Sequence, residues 1–437
     1  MNVESEKIVA TDSWVSAINP AIPSVDRLLE IDGSIESKTT FEIYPEPTDL
    51  SAKSPLEFII HSNPGTYVDL TSFYIDVKLK LVGGDGTRGD LANWKAYFIN
   101  HLSQSLWSVI NVFLNDTSVE SNYNNQQVSN LAHILSTPQQ LVSERGYPMG
   151  LFPIDDKTLL NKIGPDPAPL GNLIADRISF SKQESIHLRG PIHLDIGTCD
   201  RFLADDVKIK IVLQPAHAQF LLNQFGDAKD IDYELESVKI GCTKIKPSEG
   251  TFLGTTKKLM NKAFEYIIRR NITHVEVIPQ NYTDYTIIRP FQDLIPGYIY
   301  IFLVDREAAS GSFKKNPFFY GKYGLKKYSV KINGIEISGC DITEKSIEAY
   351  CQSQKNHGSD YFIPYKHYNN GCFVLCVNTQ DEQSSFNTLN IERKGNLNIN
   401  LQFNDAIPDA LLVHVVGSVD STFDLDADRV ITTNYQY

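Results

Sequence analysis

The chain of 437 residues is poor in methionine and tryptophan (3 of each) and cysteine (6), and carries 40 bases against 53 acids. Each shortage excludes something. A formal charge of −13 argues against a surface built to neutralise nucleic-acid phosphates, because counterion release needs clustered Lys and Arg. Direct sequence-specific nucleic acid binding is not expected. The cysteines are too few for a disulfide scaffold and fit a reducing compartment. Cys372 and Cys376 lie ~13 Å apart along a strand, too far to share a metal, and read as small core residues. No segment approaches ~18 uninterrupted apolar residues, and the stretch from Met1 to Pro20, with Glu4, Glu6, Lys7 and Asp12, lacks the apolar run of a signal peptide. No transmembrane segment is expected.

Catalytic motifs are missing too. No G-x-S-x-G elbow, H-E-x-x-H pair or phosphate-binding Walker loop occurs, and the histidines do not fall at ligand spacing. Gly84-Asp85-Gly86-Thr87-Arg88-Gly89 fits a dinucleotide pattern, but Asp90-Leu91-Ala92-Asn93-Trp94 follows where a helix should open, so a hairpin loop is expected. Asp424, Asp426 and Asp428 start like a calcium loop. The glycine and final acid such a loop requires are replaced by Arg429 and Tyr435, which leaves a solvated acidic tail. His187 and His193, beside Asp195, lie on apparent strand and read as structural. No enzyme activity, cofactor or metal is expected.

What the chain does have is 21 Tyr, 22 Phe, 21 Pro and 26 Gly, the balance of many short strands joined by turns. Alternation is clearest at Ile75, Val77, Leu79 and Leu81 against Asp76, Lys78 and Lys80, and at Leu397, Ile399, Leu401 and Phe403 against Asn398, Asn400 and Gln402. Strands are also expected at residues 56–61, 107–115, 177–180, 187–194, 207–213, 235–246, 274–279, 285–289, 299–304, 327–337, 372–377 and 410–419. Helices are expected over 124–135, where Val128, Leu131, Ala132 and Leu135 share a face, and over 252–263, with Ser248 as N-cap. Residues 1–40 are polar and aperiodic and read as an N-terminal arm. The polar run 223–232 is the best internal boundary, giving a first sandwich over 41–225, a second over 226–423 and a tail over 424–437. About eight antiparallel strands in each half make the expected fold all-β, a double jelly roll of two eight-stranded sandwiches side by side with short helices in the loops.

The organising stretch runs from Leu303 to Ile337. A strand end opens into a loop that holds Phe313, Phe318, Phe319 and Tyr320 among lysines, and a second strand returns. Such rings are costly to leave in water, so either the chain folds back over them or a neighbouring subunit covers them. The same stretch, Leu303-Val-Asp-Arg-Glu-Ala-Ala-Ser-Gly-Ser-Phe-Lys-Lys-Asn-Pro-Phe, resembles the central signature of major capsid (hexon) proteins from Polinton (Maverick) elements and the related adintoviruses. The resemblance extends upstream to Arg269-Arg270 and Val275-Glu276-Val277, and downstream to Asn370-Gly371-Cys372-Phe373, Arg393-Lys394-Gly395-Asn396-Leu397 and Leu401-Gln402-Phe403. In the first half Val68-Asp69-Leu70 and Asn100-His101-Leu102 before Leu106-Trp107 match as well.

It implies a double jelly roll, homotrimeric capsomers that tile an icosahedral shell, penton or minor capsid partners, and a place in the virion. Phe313, Phe318, Phe319 and Tyr320 are then candidates for a subunit interface. The alternative is a β-sandwich module that binds carbohydrate or protein without shell assembly; fold alone does not separate the two.

Overall fold

A computed structural model describes residues 34–46, 49–51, 53–84, 86, 95–155, 159–164, 172–226, 230–342, 345–358, 360–380 and 393–435. Most of the expected arm, and most of the Gly84–Gly89 loop, lie outside them. Eight strands build the first sandwich: β1 (Ile35–Ile43), β2 (Leu56–His61), β3 (Tyr67–Gly83), β4 (Trp107–Leu114), β5 (Thr117–Asn122), β6 (Ile186–Pro191), β7 (Lys208–Pro215) and β8 (Ile231–Pro247). They form two four-stranded sheets, ordered β1-β8-β3-β6 and β2-β7-β4-β5.

The second sandwich repeats the plan. Its strands are β9 (Phe264–Ile278), β10 (Asp284–Ile288), β11 (Tyr298–Asp305), β12 (Leu325–Ile332), β13 (Ile335–Asp341), β14 (Leu375–Asn378), β15 (Leu397–Phe403) and β16 (Leu411–Leu425). The sheets run β9-β16-β11-β14 and β10-β15-β12-β13, the first sandwich's order shifted by eight. All these pairings are antiparallel. This is a double jelly roll.

Alternation sets the layers. Ile75, Val77 and Leu79 on β3 face Ile240, Val238 and Leu235 on β8, and all of them are buried. Leu397, Ile399 and Leu401 on β15 fill the second core in the same way. A shift by one residue would turn either set outward, so these stripes fix register. The β12–β13 hairpin closes through Asn333 (φ 51°) and Gly334 (φ 84°), the two left-handed residues that a tight turn of matching twist demands.

Four expectations change. The boundary expected near 226 moves: residues 231–247 are β8, which pairs with both β1 and β3 and completes the first sandwich. The joint falls instead at helix Glu249–Asn261, between β8 and β9. Residues 35–40 of the expected arm already belong to β1. Arg177–Phe180 is helical, within Asn172–Ser181, because Ile174, Arg177, Ile178 and Ser181 bury one face at helical spacing. Residues 424–435, the described part of the expected tail, are no free acidic segment. Ile431–Thr433 pairs back onto the end of β16, where Asp424 stands opposite Thr432; Asp426 and Asp428 lie at the turn between them, and Asp426 accepts the backbone N–H of Val430.

Candidate functional site: the seam between the sandwiches

Three further helices matter here in chain order: α1 (Asn125–Ser136) after β5, α2 (Glu249–Asn261) after β8, and α3 (Ile347–His357) after β13. α1 carries the expected stripe of Val128, Leu131 and Leu135 into the second sandwich's core. Its polar residues are buried as well. Asn130 and Gln127 both bond the Tyr320 hydroxyl at 2.8 Å, and the Gln127 side-chain amide donates to the Pro317 carbonyl at 3.1 Å. At the start of the helix Asn124 reaches Thr273 of β9.

The signature loop closes the other side of this joint. Asp305 caps a short helix, Arg306–Ser310, by accepting the Glu307 N–H. Lys315, nearly buried, pairs with Asp305 at 2.7 Å and Glu307 at 2.8 Å. Asn316 accepts the Phe318 N–H and so turns the chain. Gly311 has φ 105°, and a Cβ there would stand 3.1 Å from the Cβ of Gln219 and 3.3 Å from the Phe220 nitrogen. Only glycine suits both constraints.

The aromatics are therefore covered largely by their own chain. Phe318 sits edge-on to Phe220 in the first core, and Tyr320 packs against Phe302 in the second. Both are buried, which leaves them no surface for a neighbouring subunit. Phe313, whose carbonyl accepts the Gln224 N–H, and Phe319, edge-on to Tyr323, remain half-buried. Phe318 and Tyr320 thus face cores inside the subunit, whereas Phe313 and Phe319 keep part of their surface.

Sequence reasoning missed the rest of the seam. Tyr266 of β9 and Phe423 of β16 stack at 4.8 Å and belong to the first sandwich's core. Glu120 on β5 and Asp195 form a buried acid pair: Glu120 Oε2 accepts the Asp195 and Ile196 N–H groups at 2.8 and 3.5 Å, while Asp195 accepts from Asn271 of β9. Desolvation, and then the Asp195 charge, hold Glu120 well above the usual carboxylate range. Burial pushes Asp195 up to about 7, although Asn271 and Arg270 pull the other way. The pair thus favours holding a proton. No motif announced it; the one available signal was an acid at a strand position whose neighbours turn inward.

Beside the pair an open cleft of about 780 Å³ is lined by Ser121 and Tyr123 of the first half and Arg270, Asn271 and Ser421 of the second. Tyr435 closes one wall, its ring under the Arg270 guanidinium at 3.6 Å and its hydroxyl donating to the Val119 carbonyl. Arg429 bonds Asp205 at 2.6 Å, so the end of the chain ties both sandwiches. The histidines do not converge on this cleft: His187 pairs with Asp76 on the neighbouring strand, and the His193 backbone N–H is held by Gln104. Among the described residues no group of three His, Cys, Asp or Glu is placed to hold a metal, no helix is long and apolar enough to cross a membrane, and all six cysteines are free.

No family model matches the chain. An uncharacterised protein of Caenorhabditis elegans is 21% identical over 417 residues, spanning 86% of this chain and 93% of that protein. Solved structures share the fold over nearly the whole length. A chain of the Sputnik virophage superposes with TM-score 0.63 at 10% identity, covering 98% of this chain and 93% of that one. The Faustovirus major capsid protein gives 0.58 at 8% identity, over 94% of each chain. The mavirus major capsid protein gives 0.56 at 10% identity, over 99% of this chain and 96% of that one.

Proposed function

We propose that this chain is a major capsid protein of a double-stranded DNA virus or virus-like element, of the Polinton and adintovirus kind. It assembles as a homotrimer whose six sandwiches form a pseudo-hexagonal capsomer, and capsomers tile an icosahedral shell. The observation that carries this reading is the pair of topologically identical sandwiches joined along a polar and apolar seam into one block. A block of two like units, repeated three times about an axis, fills a six-fold position through head-to-tail contacts.

Three lines support the reading: end-to-end likeness to viral capsid folds, the signature from Leu303 to Phe318, and a relative in an animal genome, which suits an integrated element. The partners are other copies of the chain, with penton or minor capsid proteins at special positions, and the destination is the virion. An intersubunit role falls to Phe313 and Phe319, through the surface they keep.

Sedimentation under reducing conditions with negative-stain imaging tests the reading. The expected species has three times the 49.2 kDa of the chain and a hexagonal outline. A persistent monomer at low salt and high concentration would overturn it. The cleft beside Arg270 would then be screened with glycans, as a binding module requires.

A further inference from the structure

The internal repeat shows where copies should meet, granted the capsomer reading above. Within the chain, β5 of the first sandwich lies against β9, the outermost strand of its sheet in the second, and Asn124, the residue that opens α1, bonds Thr273 of β9. The counterparts of β5 and α1 in the second sandwich are β13 and α3; the counterpart of β9 in the first is β1. One such seam is satisfied inside each chain. Its two counterpart surfaces are left over, one at either end of the block.

Both leftover surfaces look like interfaces without a cover. β1 is the outermost strand of its sheet, and among the described residues no ladder partner takes its free edge. Residues 36–42 are all exposed. Phe41 and Tyr44 keep 42% and 61% of their surface, with Lys244 and Lys239 laid over their rings. A bare, flat edge of this kind invites pairing. At the other end Ile335, Ile337 and Ile347 are 71%, 41% and 54% exposed, and Cys351, one turn after Ile347, is exposed too.

We infer that β1 of one copy is covered by β13 and α3 of the next, in an intersubunit seam that reproduces the seam inside the chain. The occupant of each surface is a second copy. The contact is heterologous, joining unlike surfaces, so it closes into a ring when three copies have turned through a full circle.

Two double variants test the contact by sedimentation, Phe41→Asp with Tyr44→Asp and Ile335→Asp with Ile347→Asp. Ile288→Asp serves as control, since Ile288 is 69% exposed on β10, at the opposite edge of β13's own sheet. Each double variant is expected to shift the mass from three chains to one with its thermal midpoint as a monomer unchanged; the control should stay trimeric. Amide exchange across 35–43 should be slow in the wild-type assembly and at least tenfold faster in the Ile335/Ile347 variant. A trimer that survives both double variants overturns this seam but leaves the capsomer reading standing. A wild-type chain that never leaves the monomer overturns both. Equally slow exchange at 35–43 in the monomeric variant shows that residues 1–33 of the same chain cover β1, and also overturns the seam.

Discussion

α1 and α3 come at the same point in chain order, after the fifth strand of each sandwich, yet their surroundings differ. Nine of the twelve residues of α1 are buried, among them Asn125, Gln127 and Asn130. α3 buries only Ala349 and Ser353 completely. One topology therefore yields a helix clamped between two bodies and a helix lying on one. The buried polar residues of α1 are tolerated because they find partners, several of them across the seam; the one buried polar residue of α3, Ser353, bonds the Val374 carbonyl of its own sandwich. Position in the fold does not set burial; the neighbour does.

Breaking the clamped helix should cost most. Tyr320→Ala removes a fully buried ring together with the hydroxyl that bonds Gln127 Oε1 and Asn130 Nδ2, and a loss of about 3–5 kcal/mol is expected for such a truncation. Tyr320→Phe keeps the ring and strands the two amides, so about 1–3 kcal/mol is expected. Urea unfolding of the two variants separates packing from hydrogen bonding. If both lose the same amount, the hydroxyl network rather than the ring holds the joint.

The acid pair sharpens the comparison through pH. Unfolded carboxyls titrate near ~4, whereas the folded state holds Glu120 and Asp195 above that range. The folded chain therefore binds more protons between pH ~4 and ~7, and this contribution to stability is complete at low pH and fades as pH rises through that window. Buried His133 and His414 act oppositely. Desolvation lowers both to about 4, so below the unfolded value near ~6.5 the unfolded chain takes protons the folded one refuses, and stability falls with acid. Asp195→Asn removes Asp195's share of the first effect and leaves the histidines' effect in place; Glu120, raised first by desolvation, keeps its own share. Its thermal midpoint, taken relative to wild type, should climb from pH 4 to 7 and stay level above. A difference that does not vary with pH would show that the pair stays ionised.

Much of this architecture was legible in the sequence, for a physical reason. Runs such as Ile75 to Leu81 and Leu397 to Phe403 alternate because one face meets a core, and that constraint is local. The joint was harder to place. The polar run 223–232 suggests a boundary, but Asn223 and Gln224 are buried in a short strand paired with Ala96–Phe98, and nothing local says that β8 then returns to β1. The ring cluster at Phe313 to Tyr320 was visible, but its cover was not. Phe220 and Gln127 lie far away in sequence, and only the folded chain brings them near. Glu120 and Asp195 gave still less, since two acids 75 residues apart form no pattern. Arg177 to Phe180 misled because isoleucine and phenylalanine suit strands, while the helical spacing shows only with Ile174 included.

The smallest expected effect concerns the unclamped helix. Ile347 keeps more than half of its surface, so truncating it removes little packing from the single chain, and Ile347→Ala should change the stability of the monomer by no more than about 0.5 kcal/mol. The same change at a subunit seam would act through association, because an apolar side chain that loses its water only on assembly stabilises the assembly alone. Denaturation of dilute monomer and dissociation of concentrated protein therefore give different answers for one residue. If α3 is a surface helix and nothing more, the two measurements agree near zero. If it is the counterpart of α1, dissociation moves and unfolding does not.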